Sequence, residues 1–239
     1  MDRIHSVRVL FALAVLCGGV GPPLAFAADR RAQERAMMVE DQIERRGVSD
    51  PAVLQAMRTV PRDRFIPADQ APSAYEDRPL PIGFGQTISQ PYIVAYMTEI
   101  VRPRPGFRVL EIGAGSGYQA AVLAEVGGEV YTVEIIPKLA ERARANLAAN
   151  GYERVQVKNG DGYNGWPEHA PYDAIVVTAA AEHIPPPLIR QLKDGGRMII
   201  PVGSPFLTQY LVLVEKDGDR VTTRTVMPVR FVPLRRAGS

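Results

Sequence analysis

Apolar and polar residues follow two different periods along this chain, and the changes between them predict its elements. Residues 107–134 read as an apolar strand, a glycine turn, a helix and a second apolar strand. The alternation continues with helices predicted over 137–150 and 184–192, and with strands predicted over 154–158, 172–178 and 197–202. The strand at 172–178 is almost wholly apolar, as expected for one buried on both faces of a parallel sheet. We therefore predict an α/β fold, a Rossmann-like doubly wound mixed sheet.

The segment ahead of this sheet predicts an N-terminal helical cap. Apolar residues recur at helical spacing over 31–46 until Gly47, and a second helix opens at Asp50-Pro51 with a capping residue and a proline in its first turn. The proline-rich stretch 61–81 has the composition of an ordered surface loop. Its charged and aromatic residues are accordingly expected at the surface: Arg62, Arg64, Phe65 and Tyr75.

The C-terminal part predicts an antiparallel hairpin. Two strand-like stretches, 209–215 and 221–229, flank a turn that contains Asp217-Gly218. Such a hairpin would give the otherwise parallel sheet an antiparallel end. No internal repeat or low-complexity tract interrupts the pattern.

Residues 1–28 carry the pattern of a secretory signal peptide. Two arginines precede the apolar run 9–20, and small residues lead to a predicted cleavage after Ala27 or Ala28. The run is too short and too interrupted by glycine for a comfortable membrane span. The alternative is a mis-assigned start codon ahead of a disordered leader. If the signal is cleaved, the mature chain has no cysteine, because Cys17 is the lone one.

The composition of the chain excludes some classes of function but does not identify one. The chain of 239 residues is long enough for one domain with a well-buried core. A net charge of +2, without a long basic run outside the termini, does not suggest nucleic acid as a partner. The single cysteine rules out an internal disulfide framework and a multi-cysteine metal site. We expect no nucleic-acid partner, no membrane and no metal.

The glycine turn Gly113-Ala-Gly115-Ser-Gly117 is the strongest candidate for ligand binding. It would bring a backbone without side chains up to a ligand at a helix N-terminus. Tyr118 stands where the dinucleotide fingerprint has its third glycine, and Glu111 lies too close for a pyrophosphate. A ligand with a positive centre and an amino group fits better, and S-adenosylmethionine has both. Glu134, about 20 residues on, suits the ribose hydroxyls. The alternative is a tight turn in a ligand-free core.

Ligands of open α/β sheets bind beyond the carboxyl ends of the strands, which collects further candidates on one rim. Asp161 could accept from an adenine amino group, although a turn aspartate before glycine is equally consistent with the pattern. Upstream, the flexible glycine pair Gly83 and Gly85 leads into hydroxyl and amide side chains. Among these, Ser89 precedes a helix and fits a capping role. His183 is expected to be structural.

Seven stretches within residues 31–234 resemble the protein-L-isoaspartate O-methyltransferase family. They are VLEIGAGSGYQAAVLA, VYTVE, GDGYNGW, PYDAIVVTAAAEHIP, LKDGGRMIIPVG, PIGFGQTISQP and VRFVPL. The glycine motif is shared by most class I methyltransferases. The block 87–91 and residues 229–234 are the specific ones. The resemblance implies a single methyltransferase domain over 29–239, with a helical cap and substrate loop at 29–106 and the S-adenosylmethionine-binding sheet at 107–239.

What the resemblance implies is methyl transfer from S-adenosylmethionine to the α-carboxyl of L-isoaspartyl residues in damaged proteins and peptides. The ester collapses spontaneously to a succinimide, which hydrolyses partly to normal aspartyl. By this resemblance Ser89 is the active-site serine, and capping need not exclude that role. The expected cofactor-binding residues are Glu111, Gly113, Ala114, Gly115, Ser116, Gly117, Glu134, Ile135, Asp161, Gly162 and Thr178. The expected substrate-binding residues are Thr87, Ile88, Gln90, Pro91 and Val232.

This chemistry is consistent with the residue types. The acceptor carboxylate is already ionised at neutral pH, so no strong general base is required. The enzyme mainly has to orient the reactants in line and exclude water. Two other readings stay open: a small-molecule carboxyl or phenol methyltransferase, and a non-catalytic isoaspartyl-binding module. A monomer is expected. Family resemblance and cofactor supply favour the cytoplasm, with the periplasm as the alternative if residues 1–28 are cleaved.

Overall fold

The computed structural model describes residues 23–204 and 206–238, with side chains from Arg30 onward. The helices are α1 Pro23–Met37, α2 Pro51–Thr59, α3 Pro91–Ile100, α4 Tyr118–Glu125, α5 Pro137–Ala149 and α6 Pro186–Gln191. The strands are β1 Leu80–Gly83, β2 Gln86–Ile88, β3 Arg108–Ile112, β4 Glu129–Glu134, β5 Gln156–Asn159, β6 Tyr172–Val177, β7 Leu192–Val202, β8 Gln209–Asp217 and β9 Arg220–Val229. None of the helices in this part of the chain combines the length and apolar character needed to cross a bilayer.

The main sheet has seven strands in the order β5-β4-β3-β6-β7-β8-β9. The five strands β3 to β7 are mutually parallel, whereas β8 pairs antiparallel with β7 and with β9. The chain order reverses at β3, since β4 and β5 lie on one side and β6 to β9 on the other. Ligands of such sheets bind at the carboxyl ends of the strands around this reversal. The predicted mixed sheet and its C-terminal hairpin are confirmed.

Side chains of β3 separate two cores, one on each face of the sheet. Val109 belongs to the core formed with α2, α3 and α4, whereas Leu110 and Ile112 belong to the core formed with α6. Successive residues of a strand point to opposite faces, so a strand covered on both sides favours apolar residues on each face, and Glu111 is the buried polar exception in β3. This confirms the doubly wound arrangement.

The first helical segment of the cap begins earlier than predicted and ends where predicted. Helix α1 starts at Pro23 and passes into a π-helical turn at Met38–Ile43 and a 3-10 turn at Glu44–Arg46. The left-handed conformation of Gly47, with φ 95°, stops it. Of the predicted signal peptide 1–28, residues 1–22 lie outside the described residues, so its cleavage stays a prediction.

The stretch 61–81 is irregular and mostly exposed or half-buried, as its composition suggests, but part of it turns into the core. Arg62, Phe65 and Tyr75 are buried, and only Arg64 of the expected surface residues is exposed. The Phe65 ring packs edge-on against Tyr118, with ring centroids 5.7 Å apart. The prediction for the three buried residues was wrong because the 3-10 turn Arg62–Phe65 directs two of these side chains inward. The stretch thereby ties the cap to α4.

The guanidinium of Arg62 is fully buried and donates from Nε to the Ala74 carbonyl at 2.8 Å. Burial lowers the pKa of Arg62 to about 10. Its side chain lies over the Tyr118 ring, with Cζ 5.1 Å from the centroid. The segment that leads to β1 is therefore anchored in the core.

Candidate active site

Three connected depressions lie at the carboxyl ends of the central strands. The glycine-turn cleft is lined by Gly113, Gly115, Glu134, Gly162, Ala179 and residues 232–235, among others. The passage is lined by Ile88, Ser89, Glu111, Ala114, Ser116 and Gln119, among others. The outer groove is lined by Arg46, Ser89, Gln90, Tyr92 and residues 227–232, among others. Thr87 and Thr178 line all three, so the depressions form one continuous site.

The glycine turn takes a shape that side chains would prevent. Gly113, Gly115 and Gly117 have φ values of 99°, 53° and 89°, a region that favours glycine. A Cβ at Gly113 would collide with the Thr178 hydroxyl. That hydroxyl donates to the Gly113 carbonyl at 2.7 Å and holds the turn against the end of β6.

Glu134 ends β4 with its carboxylate held in place by the backbone. It is 5% exposed, and its two oxygens accept from Gly115 N–H at 2.8 Å and from Ile136 N–H at 2.9 Å. A carboxylate offers about four acceptor positions. The remaining ones are suited to a vicinal diol such as that of a ribose.

Glu111 is a buried carboxyl group beside the glycine turn. It is 1% exposed and accepts a hydrogen bond from the Thr132 hydroxyl at 2.5 Å. Burial, and to a smaller extent the nearby charge of Glu134, raise the pKa of Glu111 to about 8, against the opposing hydrogen bond from Thr132. The raised pKa favours the neutral form of Glu111 in the ligand-free protein. A cationic ligand in the passage would favour its ionised form.

Asp161 lies next to Gly162, which lines the cleft, and its carboxylate is held by the backbone and by the C-terminal tail. Its Oδ1 accepts from Tyr163 N–H at 3.0 Å, and its Oδ2 accepts from Arg236 Nε at 2.9 Å and Ala237 N–H at 3.2 Å. Burial opposes ionisation, but the hydrogen bonds from Arg236, Ala237 and Tyr163 outweigh it and lower the pKa of Asp161. The alternative turn role is the one this geometry displays. Arg236 lies outside the stretches that carry the resemblance, and no sequence signal points to it.

Residues 80–88 form a hairpin rather than a flexible glycine loop. Strands β1 and β2 pair antiparallel around a tip at which Phe84 has a φ of 56°. Arg142 of α5 donates to the Ile82 carbonyl at 2.5 Å and lies over the Phe84 ring. The hairpin is thereby fastened to α5, and Thr87 on β2 is held over the site.

Ser89 does not cap the following helix. Gln90 is the N-cap of α3, and no side chain provides a capping hydrogen bond. The Ser89 hydroxyl has no hydrogen-bond partner within the described part of the chain. It is half-buried and lines both the passage and the outer groove. The hydroxyl is therefore available to a ligand at their junction.

The other wall of the cleft comes from the C-terminal segment. Ala180 N–H donates to the Val232 carbonyl at 2.8 Å, and Leu234 N–H donates to the Ala180 carbonyl at 2.7 Å. The buried side chain of Gln209 holds the backbone of Phe231, since its Oε1 accepts from Phe231 N–H at 2.6 Å. Sequence reasoning missed Ala180 and Gln209, because neither is linked to the turn by any local pattern.

The structure brings most of the expected residues together, with three exceptions. Of the expected cofactor residues, Gly113, Gly115, Glu134, Ile135, Gly162 and Thr178 line the cleft, and Glu111, Ala114 and Ser116 line the passage. Of the expected substrate residues, Thr87, Ile88, Gln90 and Val232 line the site. Gly117 instead packs against Leu147 of α5, Asp161 is held by the C-terminal tail, and Pro91 is buried in the first turn of α3.

Comparison with known proteins agrees with this geometry. A family model described as protein-L-isoaspartate(D-aspartate) O-methyltransferase matches residues 32–238. The chain is 57% identical over 230 residues to a protein-L-isoaspartate O-methyltransferase of Opitutus terrae, covering 96% of this chain and 99% of the relative. It is 64% identical over 186 residues to protein-L-isoaspartate O-methyltransferase 2 of a Polaromonas species, covering 77% of this chain and 88% of the relative.

Solved structures show the same fold. A structure described as a protein-L-isoaspartate O-methyltransferase matches with a TM-score of 0.74 at 35% identity, covering 85% of this chain and 65% of that chain. A putative protein-L-isoaspartate O-methyltransferase from Plasmodium falciparum, in complex with S-adenosyl-L-homocysteine, matches with a TM-score of 0.73 at 25% identity, covering 84% of this chain and 98% of that chain. On these matches, the chain belongs to the protein-L-isoaspartate(D-aspartate) O-methyltransferase family.

Proposed function

We propose that this protein transfers a methyl group from S-adenosylmethionine to the α-carboxylate of L-isoaspartyl residues in damaged proteins and peptides. Family membership supports the reaction class. One structural observation supports its location: the glycine-turn cleft and the outer groove share Thr87 and Thr178, and Ser89 lines the passage between them. Two substrates that enter from the two sides would meet beside the Ser89 hydroxyl.

The cleft fits the adenosine half of the methyl donor. Glu134 has acceptor positions left for two ribose hydroxyls after its two backbone contacts. The glycine turn brings bare backbone to the N-terminus of α4, and Glu111 offers a carboxyl group that a nearby cation would ionise. When bound, S-adenosylmethionine supplies an electrophilic methyl group on a sulfonium ion. Asp161 accepts three hydrogen bonds, so its carboxylate keeps about one acceptor position for the adenine amino group.

The acceptor carboxylate would be held from the outer groove. Ser89 can donate its hydroxyl to one carboxylate oxygen without transferring a proton, so the carboxylate keeps its negative charge. Thr87, Gln90 and Val232 line the space around it, whereas Ile88 and Pro91 support Ser89 from the core. This hydroxyl is the contact that we assign as catalytic.

The chain mainly has to position its reactants. A carboxylate needs no deprotonation at neutral pH, so a general base adds nothing to the rate. The passage is bounded by the hairpin, the glycine turn and Thr178, and with both substrates bound these would align the reacting groups and exclude water. The methyl ester product would then close spontaneously to a succinimide, whose hydrolysis returns part of the material to normal aspartyl residues.

The experiment is a methanol-release assay with methyl-labelled S-adenosylmethionine. An L-isoaspartyl peptide is compared with the same peptide carrying L-aspartate, because only the linkage differs. Labelled methanol should appear with the isoaspartyl peptide alone. Binding of the peptide without methanol would instead indicate a non-catalytic binding module. Methyl transfer to small carboxylates or phenols, with none to the peptide, would indicate a small-molecule methyltransferase.

We further propose that isoaspartyl proteins and peptides are the partners, that the protein acts as a monomer, and that it acts in the cytoplasm, where its methyl donor is made. Sedimentation of the full chain tests the monomer. N-terminal sequencing of the mature chain tests the location. An intact Met1 would support retention, whereas a chain beginning after Ala27 or Ala28 would support export to the periplasm.

A further inference from the structure

Gln119 carries a buried polar atom that the fold leaves without a partner. The residue is the second of α4, is 6% exposed and lines the passage together with Ser89 and Glu111. Its Nε2 donates to Thr98 Oγ1 on α3 at 2.8 Å. Its Oε1 is buried and has no hydrogen-bond partner within the described residues. Buried acceptors are rarely left unpaired, because the lost hydration is not replaced.

The orientation of this amide is set by Thr98. The Thr98 hydroxyl donates its only hydrogen to the Val94 carbonyl, one turn earlier on α3, at 2.8 Å. Thr98 Oγ1 can therefore only accept from Gln119, which requires the NH₂ group on that side. The side-chain carbonyl oxygen of Gln119, Oε1, is therefore the atom without a partner among the described residues. Gln119 thus presents an acceptor beside the passage.

The position of the passage indicates which ligand group would pair with this acceptor. This step rests on the proposed function: with the ribose at Glu134 and the acceptor at Ser89, the sulfonium would lie between them and its amino-acid arm would extend into the passage. That arm carries a carboxylate and an ammonium group. A carbonyl oxygen repels the carboxylate and attracts the ammonium, as does Glu111 nearby.

We propose that Gln119 binds the α-ammonium group of the methyl donor through Oε1, and that Thr98 is the positioning residue that orients it. The ammonium would satisfy the unpaired acceptor, so binding would gain a charge-assisted hydrogen bond that the free protein lacks. Gln119 would then help to fix the direction of the transferred methyl group toward Ser89.

The test compares the affinity of wild-type protein and of Gln119→Met for three adenosine ligands by titration calorimetry. Methionine has a similar volume and removes both polar atoms. Binding of S-adenosylhomocysteine should weaken about tenfold or more, as expected for one hydrogen bond to a charged group. Binding of 5′-methylthioadenosine, which lacks the amino-acid arm, should stay within about twofold of wild type. An S-adenosylhomocysteine analogue whose ammonium is replaced by hydrogen should also bind both proteins alike.

Two controls separate binding from structure. Thr98→Val frees the amide to rotate and should produce the same ligand pattern with a smaller loss. The ligand-free Gln119→Met protein should melt at or above the wild-type temperature, because an unpaired buried acceptor has been removed. Equal weakening for S-adenosylhomocysteine and 5′-methylthioadenosine, or a lowered melting temperature with unchanged ligand preference, would show a structural role and overturn the inference. Unchanged affinity for all three ligands would also overturn it. Failure of wild-type protein to bind S-adenosylhomocysteine would instead count against the proposed function.

Discussion

Replacing Glu134 by glutamine perturbs the methyl-donor site at its most constrained point. In the wild type both carboxylate oxygens accept backbone N–H groups, from Gly115 at 2.8 Å and from Ile136 at 2.9 Å. Glutamine has one oxygen and one NH₂ group, so one of these N–H groups would face another donor. The ribose hydroxyls would also lose a charged acceptor.

The magnitude follows from the contacts that are lost. A hydrogen bond to a charged group contributes about 1.5–3 kcal/mol, and the substitution weakens two ribose contacts while displacing the backbone beneath them. We expect a loss of about 3 kcal/mol, on the order of 100-fold in Kd for S-adenosylhomocysteine. Titration calorimetry measures this directly. The 2′,3′-dideoxy analogue has no hydroxyls for Glu134 to accept from, so it should lose less affinity, through the displaced backbone alone.

A matched control lies on the same strand. Glu129 is at the opposite end of β4, is exposed, and accepts from the Tyr131 hydroxyl at 2.7 Å. Glu129→Gln should leave the Kd unchanged. If Glu134→Gln binds S-adenosylhomocysteine within about threefold of wild type, or loses affinity equally for the dideoxy analogue, the ribose role of Glu134 is refuted.

Three further predictions concern the rest of the site. Ser89→Ala should lower kcat for the isoaspartyl peptide at least about tenfold while the Kd of S-adenosylhomocysteine stays unchanged, since only the acceptor loses a hydrogen bond; full activity would remove the assigned role. Gly115→Val should abolish cofactor binding, because φ is 53° and a Cβ would lie 3.3 Å from Ile82 Cδ1. Gly151→Val, at φ 85° with no atom within 4 Å of its Cβ, is the control for backbone strain alone. Equal loss of binding in both variants would contradict a specific role of Gly115 in the site. For Glu111, the folded pKa of about 8 exceeds the ordinary value of 4.5, so its contribution to the free energy of unfolding is present below pH 4.5 and is lost as pH rises to 8. Glu111→Gln should therefore gain stability relative to wild type as pH rises through that window, measured by denaturant unfolding. A difference in stability that does not vary with pH would count against the buried, protonated carboxyl.

Local patterns were sufficient for the central half of the molecule. The apolar runs predict β3, β4 and β6 because each is buried on both faces, which leaves little choice of residue. Asp50 caps α2 as expected: its side chain accepts hydrogen bonds from Ala52 N–H and Val53 N–H. Capping of this kind depends only on the next three residues, so a local pattern can predict it. The positive φ values of the glycine turn likewise follow from residue type.

Contacts between distant segments explain the features that local patterns did not predict. Arg62 is buried because Tyr118 and Ala74 surround its guanidinium, and composition alone favours the surface for an arginine. Asp161 meets Arg236, 75 residues away, so its role depends on where the C-terminal tail lies. The hydroxyl of Ser89 is free because the chain places Gln90, one residue later, at the helix start.

The most direct test of the account is the rate of methyl ester formation on a matched pair of peptides, one with an L-isoaspartyl residue and one with L-aspartate at the same position. Mass spectrometry of the quenched reaction identifies the ester and the residue that carries it. A methyl ester is expected on the isoaspartyl α-carboxylate and none on the aspartyl peptide. Equal methylation of both peptides, or of neither, would contradict it.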